Sequence, residues 1–116
     1  MPKDNRCRSA EFIRIVDGDT FIARMIAMPT VEPKHLVQAS IRVYNWNAAE
    51  MNEPEGAIMR DKFARLLSNA STIDLELRGM SYHRIVCSVF LDGVLFAGIL
   101  HEELQKLRGV DHGRIP

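Results

Sequence analysis

Four charged side chains, Asp19, Arg42, Glu50 and Arg84, fall at the ends of segments that read as strands. Singly, each is an ordinary solvated charge, since such residues are mostly exposed. Together they make a set that could hydrolyse a phosphodiester. That reaction needs positive charge on the non-bridging oxygens and a group that activates or orients water. It also needs stabilisation of the charge that builds in the transition state. Two arginines suit the phosphate, because a planar guanidinium donates two parallel hydrogen bonds and stays charged. One carboxylate suits a hard cation and a second suits the water.

Asp19 is the most telling of the four. It lies in "RIVDGDTFIAR", residues 14–24, one place after Asp17-Gly18. Asp-Gly between alternating apolar residues signals a hairpin turn, which accounts for Asp17. Asp19 then falls where the next strand opens, and aspartate is depleted in strands. A bound cation would give it a reason to be there.

The whole chain narrows the choice of partner. Its 116 residues suit one domain with one core. An apolar fraction of 47% with 26% charged residues is that of a soluble globular protein. Fifteen basic and fifteen acidic side chains cancel, so any phosphate binding must come from local arginine clusters rather than a broad positive field. The start, "MPKDNRCRSA", has no apolar core of a secretory signal, and no run is long enough to span a membrane. The expectation is a cytoplasmic protein, with Cys7 and Cys87 as reduced thiols. The four histidines form neither HExxH nor a close pair, which speaks against zinc.

The elements that must position these residues follow from periodicity. Residues 1–10 read as a loose N-terminal segment, 11–108 as the domain, and 109–116 as a tail. Phe12–Val16 and Thr20–Met28 read as the first two strands. Leu36–Trp46 alternates, with Val37, Ala39, Ile41 and Val43 on one face and Arg42 on the other. From Ala57 to Asn69 the period becomes helical, with Met59, Phe63, Leu66, Leu67 and Ala70 on one stripe. "TIDLELR" alternates again, "GMSY" turns the chain, and Arg84–Leu91 is a strand ended by Asp92-Gly93. A second helix over Leu95–Leu107 is stopped by Gly109. The order β-β-β-α-β-β-α predicts an α+β protein, a five-stranded OB-fold barrel carrying helices.

This pattern resembles the staphylococcal nuclease (thermonuclease) family. The resemblance rests on "IVDGDT" (15–20), "IRVYNWNAAE" (41–50) and "YHR" (82–84), and covers residues 11 to 108. It implies a metal-dependent endonuclease-like hydrolase of DNA or RNA, with single strands preferred. Asp19 then resembles the family's metal-binding carboxylate, with Asp17 close enough to reach metal-bound water. Arg42 and Arg84 resemble the arginines that grip the scissile phosphate, and Glu50 the residue that handles the water. Tyr82 resembles a phosphate-contacting tyrosine. The resemblance also implies in-line attack at phosphorus with departure of the 5′ oxygen, and calcium as the ion.

One departure bears on the metal. The family reads Asp-x-Pro-Glu where this chain reads Asn47-Ala48-Ala49-Glu50. An amide replaces one metal carboxylate, so the ligands become Asp19, the Asn47 carbonyl oxygen and the Ala48 backbone carbonyl, and the ion is held weakly. The alternative is an OB-fold module that binds single strands without cutting, stacking bases on Tyr44, Trp46 and Tyr82. A purely protein-binding domain is the third reading. The expected assembly is a monomer or weak dimer.

Overall fold

A computed structural model describes residues 6–7, 10–24, 38–48 and 53–111. The chain is an α+β protein with a mixed sheet and two helices. In chain order the elements are β1 (Arg6–Cys7), β2 (Glu11–Asp17), β3 (Thr20–Arg24), β4 (Ala39–Val43), α1 (Glu55–Asn69), β5 (Ile73–Ser81), β6 (Arg84–Leu91), β7 (Val94–Leu95) and α2 (Phe96–Asp111). The strands lie side by side as β1-β5-β6-β4-β3-β2, with β7 paired to β6. Neighbours are antiparallel except β4 and β6, which run parallel. Among the described residues the strand ladder does not close into the expected ring: β1 and β2 end it, and share no ladder.

Among the described residues three hairpins are closed by two-residue turns, and two of these turns differ from expectation. Asp17 pairs with Thr20, so the first turn consists of Gly18 and Asp19. Asp19 is therefore a turn residue and not the opening of a strand. Its amide donates to Asp17 Oδ1 at 3.1 Å, the local bond that makes aspartate favourable in turns. The second correction concerns "GMSY". Strand β5 runs on through Gly79, Met80 and Ser81, bulging between Leu77 and Gly79, and the turn is Tyr82-His83. Tyr82 takes a left-handed φ of 58°. At the third hairpin, Asp92 and Gly93 both have positive φ, as the tight turn there requires.

The helices bury the stripes that their sequences carry. Met59, Phe63 and Leu67 of α1 are inaccessible, as are Phe96, Ala97 and Leu100 of α2. Helix α2 continues to Asp111, so Gly109 lies inside it rather than ending it. Four phenylalanines join sheet to helices. Phe12 meets Phe21 at 6.1 Å between ring centroids, Phe21 meets Phe63 at 6.1 Å, and Phe63 stacks on Phe96 at 5.1 Å. Such pairs add about 0.5–1.5 kcal/mol each beyond area burial. The bidentate Arg108–Glu55 pair, at 2.8 and 3.1 Å, ties the two helices at the surface. No helix among the described residues is long and apolar enough to cross a membrane.

Candidate functional site

Register decides which polar residues meet. Across β3, β4 and β6, Thr20 lies opposite Arg42, and Arg42 opposite Val86. Arg84, two residues before Val86, falls on the same face because side chains alternate along a strand. The opposite face carries Phe21, Ile41 and Cys87 into the core. Two backbone bonds extend the ladders at this end. Val43 N donates to the Asp19 carbonyl at 3.0 Å, and Tyr44 N to that of Cys87 at 2.8 Å. The acidic turn, the end of β4 and the start of β6 are thereby held together.

The side chains at this junction form a connected set. Arg42 Nε lies 3.5 Å from Asp19 Oδ2. Arg84 Nη1 donates to the Thr20 hydroxyl at 3.3 Å, and that hydroxyl donates to Asp19 Oδ1 at 2.9 Å. Asp19 and Thr20 are both buried. Arg42 Nη2 donates to the Trp46 carbonyl at 3.1 Å, while its buried Nε has no hydrogen-bond partner among the described residues. Trp46 in turn donates from Nε1 to the Gly18 carbonyl at 2.9 Å.

The two aspartates are pushed apart in acidity. Burial, a hydrogen bond with Asp17 and the Asp17 charge raise Asp19 above the usual carboxylate range; Thr20 and Arg42 only partly oppose them. Burial also acts to raise Asp17, but its bonds with Asp19 and the nearby Arg84 and Arg42 charges outweigh it and hold Asp17 low. Two neighbouring carboxylates are an arrangement that a cation relieves.

The turn is pressed against the segment that follows β4. A Cβ added to Gly18 would stand 2.8 Å from the Ala48 Cβ, closer than two carbons can approach. This contact brings Ala48 to the acidic turn, with the exposed Asn47 beside it in the chain. The donors that the turn itself brings together are oxygens, the carboxylates of Asp17 and Asp19, and Asn47 next to Ala48 carries an amide oxygen. That chemistry fits a hard ion such as calcium or magnesium rather than zinc or copper. The anionic count is low, since among the described residues no three His, Cys, Asp or Glu side chains converge. Glu50 lies outside the described residues.

Of the residues singled out in the sequence, Asp19, Arg42 and Arg84 come together and Ala48 abuts the turn. Tyr82 stands at the tip of the β5–β6 hairpin, 92% exposed, two positions before Arg84. Three contributors were not foreseen. Thr20 bridges Asp19 and Arg84; its place in "DGDT" was the available signal. Trp46, read as a possible stacking residue, is only 3% exposed and serves as an internal donor. Arg78 lies 5.0 Å over the Tyr44 ring and donates to Ser88 Oγ at 2.8 Å. A cavity of about 430 Å³ opens beside Arg42, lined in part by Tyr44, Asn45, Ser81 and His101.

Comparison with protein-family models gives no match to this chain. Comparison with curated proteins gives none either.

Proposed function

We propose that this chain is a metal-dependent phosphodiesterase of the staphylococcal nuclease kind, acting on DNA or RNA with single strands preferred. The observation that carries the proposal is the convergence of Arg42 and Arg84 on one buried pair, Asp19 and Thr20, beside Asp17. Two arginines and two carboxylates sum to no net charge. The site therefore has little to repel an anion, and a phosphate diester meets two rigid guanidinium forks. Asp19, with Asp17 and the Asn47–Ala48 segment, would hold a weakly bound divalent ion, calcium by resemblance. When bound, that ion supplies positive charge to the non-bridging oxygens of the phosphate.

The rest falls to the chain's own groups. Arg42 is fixed by the Trp46 carbonyl and Arg84 by the Thr20 hydroxyl. Their remaining donors can take the phosphate and stabilise the charge that grows on it in the transition state. Glu50 would accept a proton from, or orient, the attacking water, and the 5′ oxygen would leave. The cavity beside Arg42, lined in part by Tyr44, over whose ring Arg78 lies, gives room for a nucleoside next to the gripped phosphate.

The finer fold belongs to the same proposal: the five-stranded OB-fold order over β2 to β6, with the ladder left open between β2 and β5. What supports it is the order β2-β3-β4-β6-β5, the parallel β4–β6 pair, and the bond from Ala10 N to the Ile73 carbonyl at 2.7 Å. A cytoplasmic setting, as a monomer or weak dimer, completes the proposal.

The test is a cleavage assay on labelled single-stranded DNA and RNA, with calcium, magnesium, manganese or chelator, and Glu50→Gln beside the wild type. Cleavage that requires a metal and Glu50 is the expected result. Salt-sensitive binding without cleavage under any metal would replace the hydrolase with an OB-fold binding module whose arginines only hold phosphate.

A further inference from the structure

We infer that Trp46 is a positioning residue, whose indole N–H sets the acidic turn and whose carbonyl sets Arg42. The inference rests on the phosphodiesterase reading for its consequence in catalysis, but not for its geometry. A buried tryptophan needs a partner for its N–H. Here the partner is the Gly18 carbonyl, at 2.9 Å, in the turn between Asp17 and Asp19. The same residue's carbonyl takes Arg42 Nη2 at 3.1 Å. One residue therefore touches both the carboxylate side and the guanidinium side of the site, and a shift of its ring or backbone moves both.

The ring is braced from outside the sheet. His101 of α2 meets Trp46 edge-on, with centroids 5.1 Å apart and planes at 84°. His101 Nε2 also lies 3.1 Å from the Asn45 carbonyl. Asn45 takes a left-handed φ of 69°, a conformation other side chains adopt reluctantly, just where β4 bends toward Trp46. Helix α2 thus fixes both the bend and the ring that follows it. What distinguishes the indole from an apolar side chain at position 46 is its N–H donor, and the turn is where that donor goes.

Trp46→Phe keeps an aromatic ring against His101 and removes the donor. The control is Ile73→Val, a core trim at the opposite end of the β5–β6 hairpin from Arg84. Two quantities are read on each full-length protein: hydrogen exchange of the Asp19 amide, and kcat and KM on a labelled single-stranded oligonucleotide with calcium. In Trp46→Phe the Asp19 amide is expected to exchange about tenfold faster, because the turn opens locally. The kcat is expected to fall about tenfold or more with KM nearly unchanged, since small misplacements cost rate steeply. Ile73→Val should change neither, and His101→Ala should move both in the direction of Trp46→Phe, by less. If Trp46→Phe matches Ile73→Val, or if the turn loosens while kcat holds, the inference is overturned. If the wild type cuts nothing, the phosphodiesterase reading fails instead. Exchange at Asp19 and affinity for the oligonucleotide then decide whether Trp46 sets the turn.

Discussion

Arg84 reaches the hydroxyl of Thr20 at 3.3 Å across 64 residues of chain, and the hydroxyl passes the contact on to Asp19. Thr20 is 1% exposed, so bulk water has little access to take its place. Thr20→Val keeps the shape and deletes the hydroxyl, leaving a guanidinium donor and a carboxylate oxygen without their partner. The expected cost is about 1–3 kcal/mol, the penalty for stranding buried polar groups. Urea denaturation measures it, and Thr20→Ser should recover most of the loss.

Gly18 is required for space. Its missing Cβ would lie 2.8 Å from that of Ala48. Gly18→Ala is expected to destabilise by about 1–3 kcal/mol as the turn is forced off the segment after β4. The double variant with Ala48→Gly should recover a large part. A double-mutant cycle checks this, and strict additivity of the two changes would show that the contact is unimportant.

The acidic pair makes a titration prediction. Because Asp17 contributes to raising Asp19, Asp17→Asn should lower the Asp19 titration midpoint, followed by carboxyl-carbon NMR. The stability contributions have opposite signs. For Asp19, whose folded value is raised, the contribution is present below its unfolded value and lost as pH rises through the folded one. For Asp17, whose folded value is lowered, the contribution is present above its unfolded value and lost as pH falls through the folded one.

Replacing Asn47 by Asp adds an anionic oxygen beside the turn. Without metal, the third carboxylate should repel the other two and lower the melting temperature. With calcium the order should reverse, since affinity grows with the anionic ligands available. At calcium about a hundredfold above the dissociation constant, binding stabilises by about 2.7 kcal/mol. Thermal melts with calcium and with chelator check both signs, and a variant that behaves alike in the two conditions would remove position 47 from the ligand set.

Much of the frame was legible in residue patterns. Alternation at Ile73, Leu75 and Leu77 marks β5, and the stripe through Met59, Phe63 and Leu67 marks α1, because burial on one face imposes a period. Turn placement was less legible. "DGDT" holds two overlapping pairs able to occupy a tight turn, Asp17-Gly18 and Gly18-Asp19, and only the Asp17–Thr20 pairing selects the second. The end of β5 was hidden for a similar reason: a glycine within it suggested a turn where the strand bulges and continues. At the site, charge types pointed to Arg42 and Arg84. No spacing rule could show that Trp46 hydrogen-bonds to Gly18 or that Thr20 bridges two strands, because such contacts are made by the fold and not by neighbours in sequence.

The parallel pairing of β4 with β6 has a further consequence, for the order of events during synthesis. Antiparallel neighbours can meet as soon as a short turn forms, but this pair must wait for the whole crossover through α1 and β5. Arg42 and Arg84 lie on the two strands so joined. A growing chain can therefore complete its first hairpin, with both aspartates in place, and still have no second arginine to set opposite them. The charge constellation comes into being in a single late step, when β6 slots between β4 and β5, and a truncated or stalled chain lacks it altogether.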